Sequence, residues 1–142
     1  MMPKNILYAQ SGGPTAVINA SACGVIEAAR MLCPKSTIFA AKNGILGVLN
    51  DELIDTSAES SENIALLRHT PASAFGSCRH KLKKIEEDDA EYRRIIEIFK
   101  KYDIGYFFYN GGGDSQDTAH KVALLAEKVG YPMTCIGIPK TI

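Results

Sequence analysis

The chain has 142 residues, 46% of them hydrophobic and 23% charged, enough for one domain with its own core. Sixteen basic side chains balance sixteen acidic ones, so net charge argues for neither nucleic acid nor a membrane surface as partner. The longest apolar runs are strand-sized, which excludes a membrane-spanning helix, and "MMPKNILYAQ" is too weakly basic and apolar for a secretory leader.

"KNILYAQ" is a strand that breaks at "SGGP", and residues 15–32 form an Ala-rich helix that Pro34 closes. "STIFAAK" is a second strand. "NGILGVLND" reads as a turn with glycines at Gly44 and Gly47, and "ELIDTS" as a short edge strand. "SSENIALLRHT" opens with serines and an acid ahead of apolar residues, a helix start. "PASAFGSCRHKLKK" is a loop. Residues 87–101 form the clearest amphipathic helix, acids first and lysines last. "IGYFFYN" is a buried strand, "SQDTAHKVALLAEKVG" a helix closed by Gly130, and "MTCIGI" the last strand.

This alternation predicts an α/β fold: a Rossmann-like, three-layer parallel sheet with helices on both faces, in one domain over residues 1–142. Cys23, Cys33, Cys78 and Cys135 stand singly, which suits the reducing cytoplasm and argues against a structural zinc. Ligands of such sheets lie beyond the carboxyl ends of the strands. "SGGPT", "GGGDS" and "PKT" all fall there, so they should converge on one crevice.

Two glycine-rich turns each follow a strand and open a helix. Glycines allow close backbone approach, and a helix start offers free N–H groups to an anion. Neither turn is GxGxxG or GxxxxGK[ST], so the dinucleotide and P-loop readings lose support, and a turn without ligand stays open for either one alone. Asp114 is either a plain first-turn acid or a group beside an anion site, and Ser115 can cap the helix. Arg79, in "FGSCR", has the planar fork that grips phosphate oxygens. Lys81, Lys83 and Lys84 read as solvated, and His69, His80 and His120 carry no catalytic role.

"SGGPTAVINA", "FGSCR", "GGGDS" and "PKTI", in this order and spacing, resemble the phosphofructokinase family, over the N-terminal lobe of that family's two-lobe subunit. The resemblance implies phosphoryl transfer to the 1-hydroxyl of fructose 6-phosphate with Mg²⁺, from ATP or from inorganic pyrophosphate, in subunits that usually pair. ATP users resemble GGDGS and PGTIDND, with glycine where this chain has Asp114 and Lys140; pyrophosphate users carry an acid and a lysine there. An aspartate fills the space of the α-phosphate and repels it, and a lysine adds charge for a small polyanion.

Carried across, Gly12 would approach the donor with its backbone, Arg79 would bridge donor and transferred group, and Thr141 would lie near the sugar phosphate. Gly13, Gly112, Gly113 and Ser115 would complete substrate binding, with Asp114, Lys140 and Arg79 the residues closest to the chemistry. Where family members often place a magnesium-side acid, this chain has Gly113. Either Asp114 or Asp117 then holds the metal through water, or the metal rests mainly on pyrophosphate and on residues outside this sequence. The expected general base, the first Asp of DND, lies past Ile142, so the sequence is expected to be an inactive N-terminal piece of a longer subunit. The rival readings are an ATP-dependent member, a non-catalytic phosphate- or nucleotide-sensing module, and a dehydrogenase, the last weakened by the missing GxGxxG.

Overall fold

The computed structural model describes residues 4–13, 15–71, 73–78, 80–82, 84 and 86–140. Strand β1 (Asn5–Gln10) runs through the centre of a five-stranded sheet and is buried from Ile6 to Gln10. Both of its faces meet helices, which is why it reads as a continuous apolar run and not as an alternating one. Ile6 and Tyr8 pack on one side, with Ala22, Cys23 and Ile26 of α1 (Ala16–Leu32), with Ile64 of α3 (Ser61–Ala65), and with Leu67. Leu7 and Ala9 face the opposite layer: α2 (Ile45–Leu49), α4 (Ala90–Lys101) and α5 (Gly113–Lys128). The expected three-layer α/β arrangement is present.

The strands β2 (Ile38–Ala41), β3 (Leu53–Asp55), β4 (Ile104–Gly111) and β5 (Thr134–Pro139) complete a sheet of order β3-β2-β1-β4-β5. Four strands are parallel, but β3 runs antiparallel to β2, which corrects the expectation of a wholly parallel sheet. The cause is length: residues 42–52 are too short a link for the dozen or more residues that a parallel crossover needs. The expected turn at "NGILGVLND" holds α2 within that link.

Other elements start where local hydrogen bonds place them. The Ser60 side chain accepts from Asn63 N and caps α3, as its sequence suggests. Helix α4 begins at Ala90 instead of residue 87, because the Asp88 carboxylate accepts from Ala90 N at 2.9 Å and turns the chain into the helix. Its buried stripe of Tyr92, Ile95, Ile96 and Phe99 seats it on the sheet. The rings of Phe99 and Phe107 lie 5.2 Å apart, and each is fully buried, a contribution of about 1.5–3 kcal/mol apiece.

For the site, the strand order matters most. The chain winds outward from β1 to β2, then returns to lay β4 against the other side of β1. That reversal opens a crevice at the carboxyl ends of β1 and β4. Register sets these ends level: Gln10 pairs with Asn110, and Gly111 with Pro139.

Candidate functional site

Three segments meet at that crevice, as the sequence pattern expects. Beyond β1, Ser11 N donates to Asn110 O at 2.9 Å, which carries the ladder one residue past the strand. Gly12 then turns with φ +84°, a conformation that favours glycine. Beyond β4 the chain passes through Gly112 directly into α5, and beyond β5 Lys140 N donates to Gly111 O at 2.9 Å.

Gly111 permits this convergence. A Cβ there would collide with the hydroxyl oxygens of Ser11 and Ser115, which hydrogen-bond to each other across the gap between β1 and α5. Ser115 therefore does not cap α5. The helix starts two residues before it, at Gly113 with Gly112 as its cap residue, and Ser115 is a buried first-turn residue turned inward. A glycine cap leaves the first-turn N–H groups of α5 without a side-chain acceptor at the crevice.

A buried polar network holds the floor. Asn110 Nδ2 donates to Tyr8 Oη at 2.9 Å and to Ile18 O at 3.2 Å, tying β4 to β1 and to the start of α1. With its amide oxygen turned toward the loop, Gln10 accepts from Ala74 N at 3.3 Å and Phe75 N at 3.2 Å and donates to Tyr8 Oη at 3.0 Å. The loop is held again where Ser77 Oγ donates to Gly12 O at 2.7 Å and Gly12 N donates to Cys78 O at 3.4 Å. "FGSC" is thereby brought against "SGG", two stretches 65 residues apart.

The resulting cavity measures about 220 Å³ and is lined by Ser11, Gly12, His80, Gly112, Gly113 and Asp114, with Cys78, Tyr109, Ser115 and Thr118 behind them. Pockets that enclose a drug-sized ligand run to roughly 300–1,000 Å³, so this one suits a smaller guest. Burial pushes the Tyr109 phenol up to about 12, helped by the neighbouring Cys78 and opposed by hydrogen bonds with Ser11 and Ser115. It stays neutral, its hydroxyl engaged with the Ser11 and Ser115 side chains and the Ile45 backbone.

Lys140 is 7% exposed, and its Nζ donates to Gly13 O at 2.5 Å. A Cβ on Gly12 would lie 3.3 Å from that ammonium, so the glycine leaves room for it. Among the described residues no carboxylate pairs with Lys140. A buried cation whose one partner among the described residues is a carbonyl keeps much of its desolvation cost uncompensated, which an incoming anion would relieve.

Of the site residues expected from sequence, Asp114, Gly12, Gly112, Gly113 and Ser115 line this crevice, and Lys140 and Gly13 meet beside it at Gly12. Arg79 and Thr141 lie outside the described residues, as does Lys83. Asp117 does not join them; it pairs with Lys121 at 2.7 Å along α5. His80, expected at the surface without a catalytic role, is exposed and also lines the cavity. Ser11, Cys78, Tyr109 and Thr118 were also missed. The spacing of Asp114, Ser115 and Thr118 does mark one helical face aimed at the glycine turn. Among the described residues there is no cluster of three or more His, Cys, Asp or Glu, and no helix long and apolar enough to cross a membrane.

Comparison with known proteins agrees with this fold. A pyrophosphate–fructose 6-phosphate 1-phosphotransferase of Methylococcus capsulatus is 61% identical over 143 residues, spanning 100% of this chain and 34% of the relative. The crystal structure of a pyrophosphate-dependent phosphofructokinase from Marinobacter aquaeolei superposes with a TM-score of 0.89 at 61% identity, covering 97% of this chain and 33% of that one. That from Nitrosospira multiformis gives 0.90 at 58% identity, over 98% and 34%. The chain thus spans about a third of the length of the relatives it matches. The sequence model of the family Phosphofructokinase covers residues 5–142, which takes in all five strands and the whole crevice. The chain belongs to the phosphofructokinase family.

Proposed function

We propose that this chain forms the phosphoryl-donor half of a pyrophosphate-dependent 6-phosphofructokinase, which moves a phosphoryl group from pyrophosphate to the 1-hydroxyl of fructose 6-phosphate. The observation that carries this reading is a buried Lys140, paired with no carboxylate among the described residues, whose ammonium lies against Gly12 beside the small crevice that Gly12 and Asp114 both line. The ammonium would take a phosphate oxygen of the donor. The first-turn N–H groups of α5 and the backbone at Gly12 would take others, and Ser115 would steady that turn. Asp114 would occupy the room that the α-phosphate of a nucleotide needs and repel its charge. Arg79 would bridge donor and transferred group, and Thr141 would lie toward the sugar phosphate.

The donor set fits Mg²⁺. Asp114 is one carboxylate beside the hydroxyls of Ser11, Ser115 and Thr118, all hard oxygens, and magnesium is commonly held by one or two carboxylates plus substrate phosphates and water. Asp114 would hold it, and the ion when bound would neutralise charge on the phosphates. A cytoplasmic enzyme is consistent with four unpaired cysteines. Pairing of complete subunits is part of the same proposal.

The reading is tested by calorimetric titration of the chain with pyrophosphate and with ATP, each with Mg²⁺. Saturable binding of pyrophosphate, with ATP at least tenfold weaker, is expected. Preference for ATP would point to the nucleotide-dependent alternative.

A further inference from the structure

His80 stands on the wall of the donor crevice with Gly12, Gly112, Gly113 and Asp114, although nothing in the four sequence motifs assigns it a role. Its ring is not free to swing. Nε2 lies 2.5 Å from Glu91 Oε2, a tie between the loop and the first turn of α4 across 11 residues of chain. Two residues upstream, Cys78 O accepts from Gly12 N, so the loop is fixed from the glycine side as well. About a third of each side chain remains exposed (33% for His80, 30% for Glu91), which leaves the imidazole anchored yet reachable from the cavity.

We infer that His80, oriented by Glu91, is a further donor-binding residue that holds the outer phosphate of pyrophosphate. This rests on the pyrophosphate reading above. Glu91 accepts the Nε2 proton, so Nδ1 is the ring nitrogen left for a ligand. With a proton on each ring nitrogen, Nε2 donates to Glu91 and Nδ1 is left to donate to a phosphate oxygen. Among the described residues, the charged groups nearest the ring are Glu91 from α4, Asp114 on the same cavity and Lys81 next in the chain, with Cys78 and Tyr109 on the same wall. His80 would offset the negative charge of Asp114 at the end of the crevice away from Lys140.

The test is calorimetric binding of pyrophosphate with Mg²⁺ to the wild-type chain, His80→Gln, His80→Lys and Glu91→Gln, at pH 6.5 and pH 8.5. His80→Gln should bind about tenfold more weakly at the lower pH. His80→Lys should keep most of the affinity at both, and Glu91→Gln should lose at least about threefold at pH 6.5. Equal affinity of wild type and His80→Gln at both pH values overturns the role of His80 and leaves the pyrophosphate reading intact. Loss on His80→Gln without loss on Glu91→Gln overturns the orienting role of Glu91. Absence of pyrophosphate binding by the wild type overturns this inference together with the reading it rests on.

Discussion

The ammonium of Lys140 and the carbonyl of Gly13, 127 residues apart in sequence, meet at 2.5 Å and close the crevice between the ends of β1 and β5. The contact satisfies one of the three ammonium protons, and no carboxylate among the described residues balances the charge. Lys140 is therefore placed to bind an anion at some expense to the stability of the fold.

Replacing it separates the two effects. Lys140→Met keeps the aliphatic stem and removes the charge. Pyrophosphate affinity should fall by about a hundredfold, the scale of one lost preorganised donor. Stability should stay level or rise, because a buried charge with weak compensation is removed. Calorimetry and urea unfolding on the same variant check both, and a variant that is destabilised while still binding pyrophosphate would make Lys140 a structural residue.

Two glycines should respond in opposite directions. Gly111→Ala forces a methyl group into the Ser11–Ser115 contact and should cost about 1–3 kcal/mol. Gly24 lies inside α1 with no atom within 4 Å of a would-be Cβ, so Gly24→Ala should stabilise by about 0.5–1 kcal/mol. Urea unfolding midpoints measure both. Equal tolerance at the two positions would contradict the crowding at the crevice floor.

Alkaline pH should unfold the protein through its tyrosines. Burial pushes Tyr109 and Tyr131 up to about 12 each, and it raises Tyr8 as well. Phenols in the unfolded chain ionise near about 10, so the stability these residues contribute is fully present below that pH and is lost as pH climbs through 12. Phenolate absorbance and circular dichroism should therefore change together between those values. Ionisation that runs to completion near pH 10 with the fold intact would show these side chains to be solvated.

The layers and the crevice were legible because each rests on a local signal. Apolar runs such as "ILYA" marked central strands, glycine turns marked their carboxyl ends, and two such turns in one sheet can converge only where the strand order reverses. The direction of β3 was less legible, since it depends on how far residues 42–52 reach and not on the composition of "LID". Ser115 looked like a cap because serine favours that position, but a glycine took the cap and the hydroxyl turned inward to Ser11. His80 is exposed, but its place on the cavity wall was not legible, because its partner Glu91 belongs to another element and no local pattern links the two. The roles of Asp114 and Lys140 came from family resemblance; the structure adds that Asp114 lines the crevice and that the Lys140 ammonium lies beside Gly12, which lines it too.

The central claim is the choice of phosphoryl donor, and its most direct test is a chimera in which this chain replaces the matching third of the Methylococcus capsulatus relative. Turnover of fructose 6-phosphate with Mg²⁺ would be measured with pyrophosphate and with ATP, in the chimera and in its Asp114→Gly, Lys140→Gly double variant. The account predicts turnover with pyrophosphate and little with ATP, then loss of pyrophosphate activity by about a hundredfold or more, with some gain of ATP use, in the double variant. Turnover of the unmodified chimera with ATP alone, or a double variant that uses pyrophosphate as well as before, would contradict it.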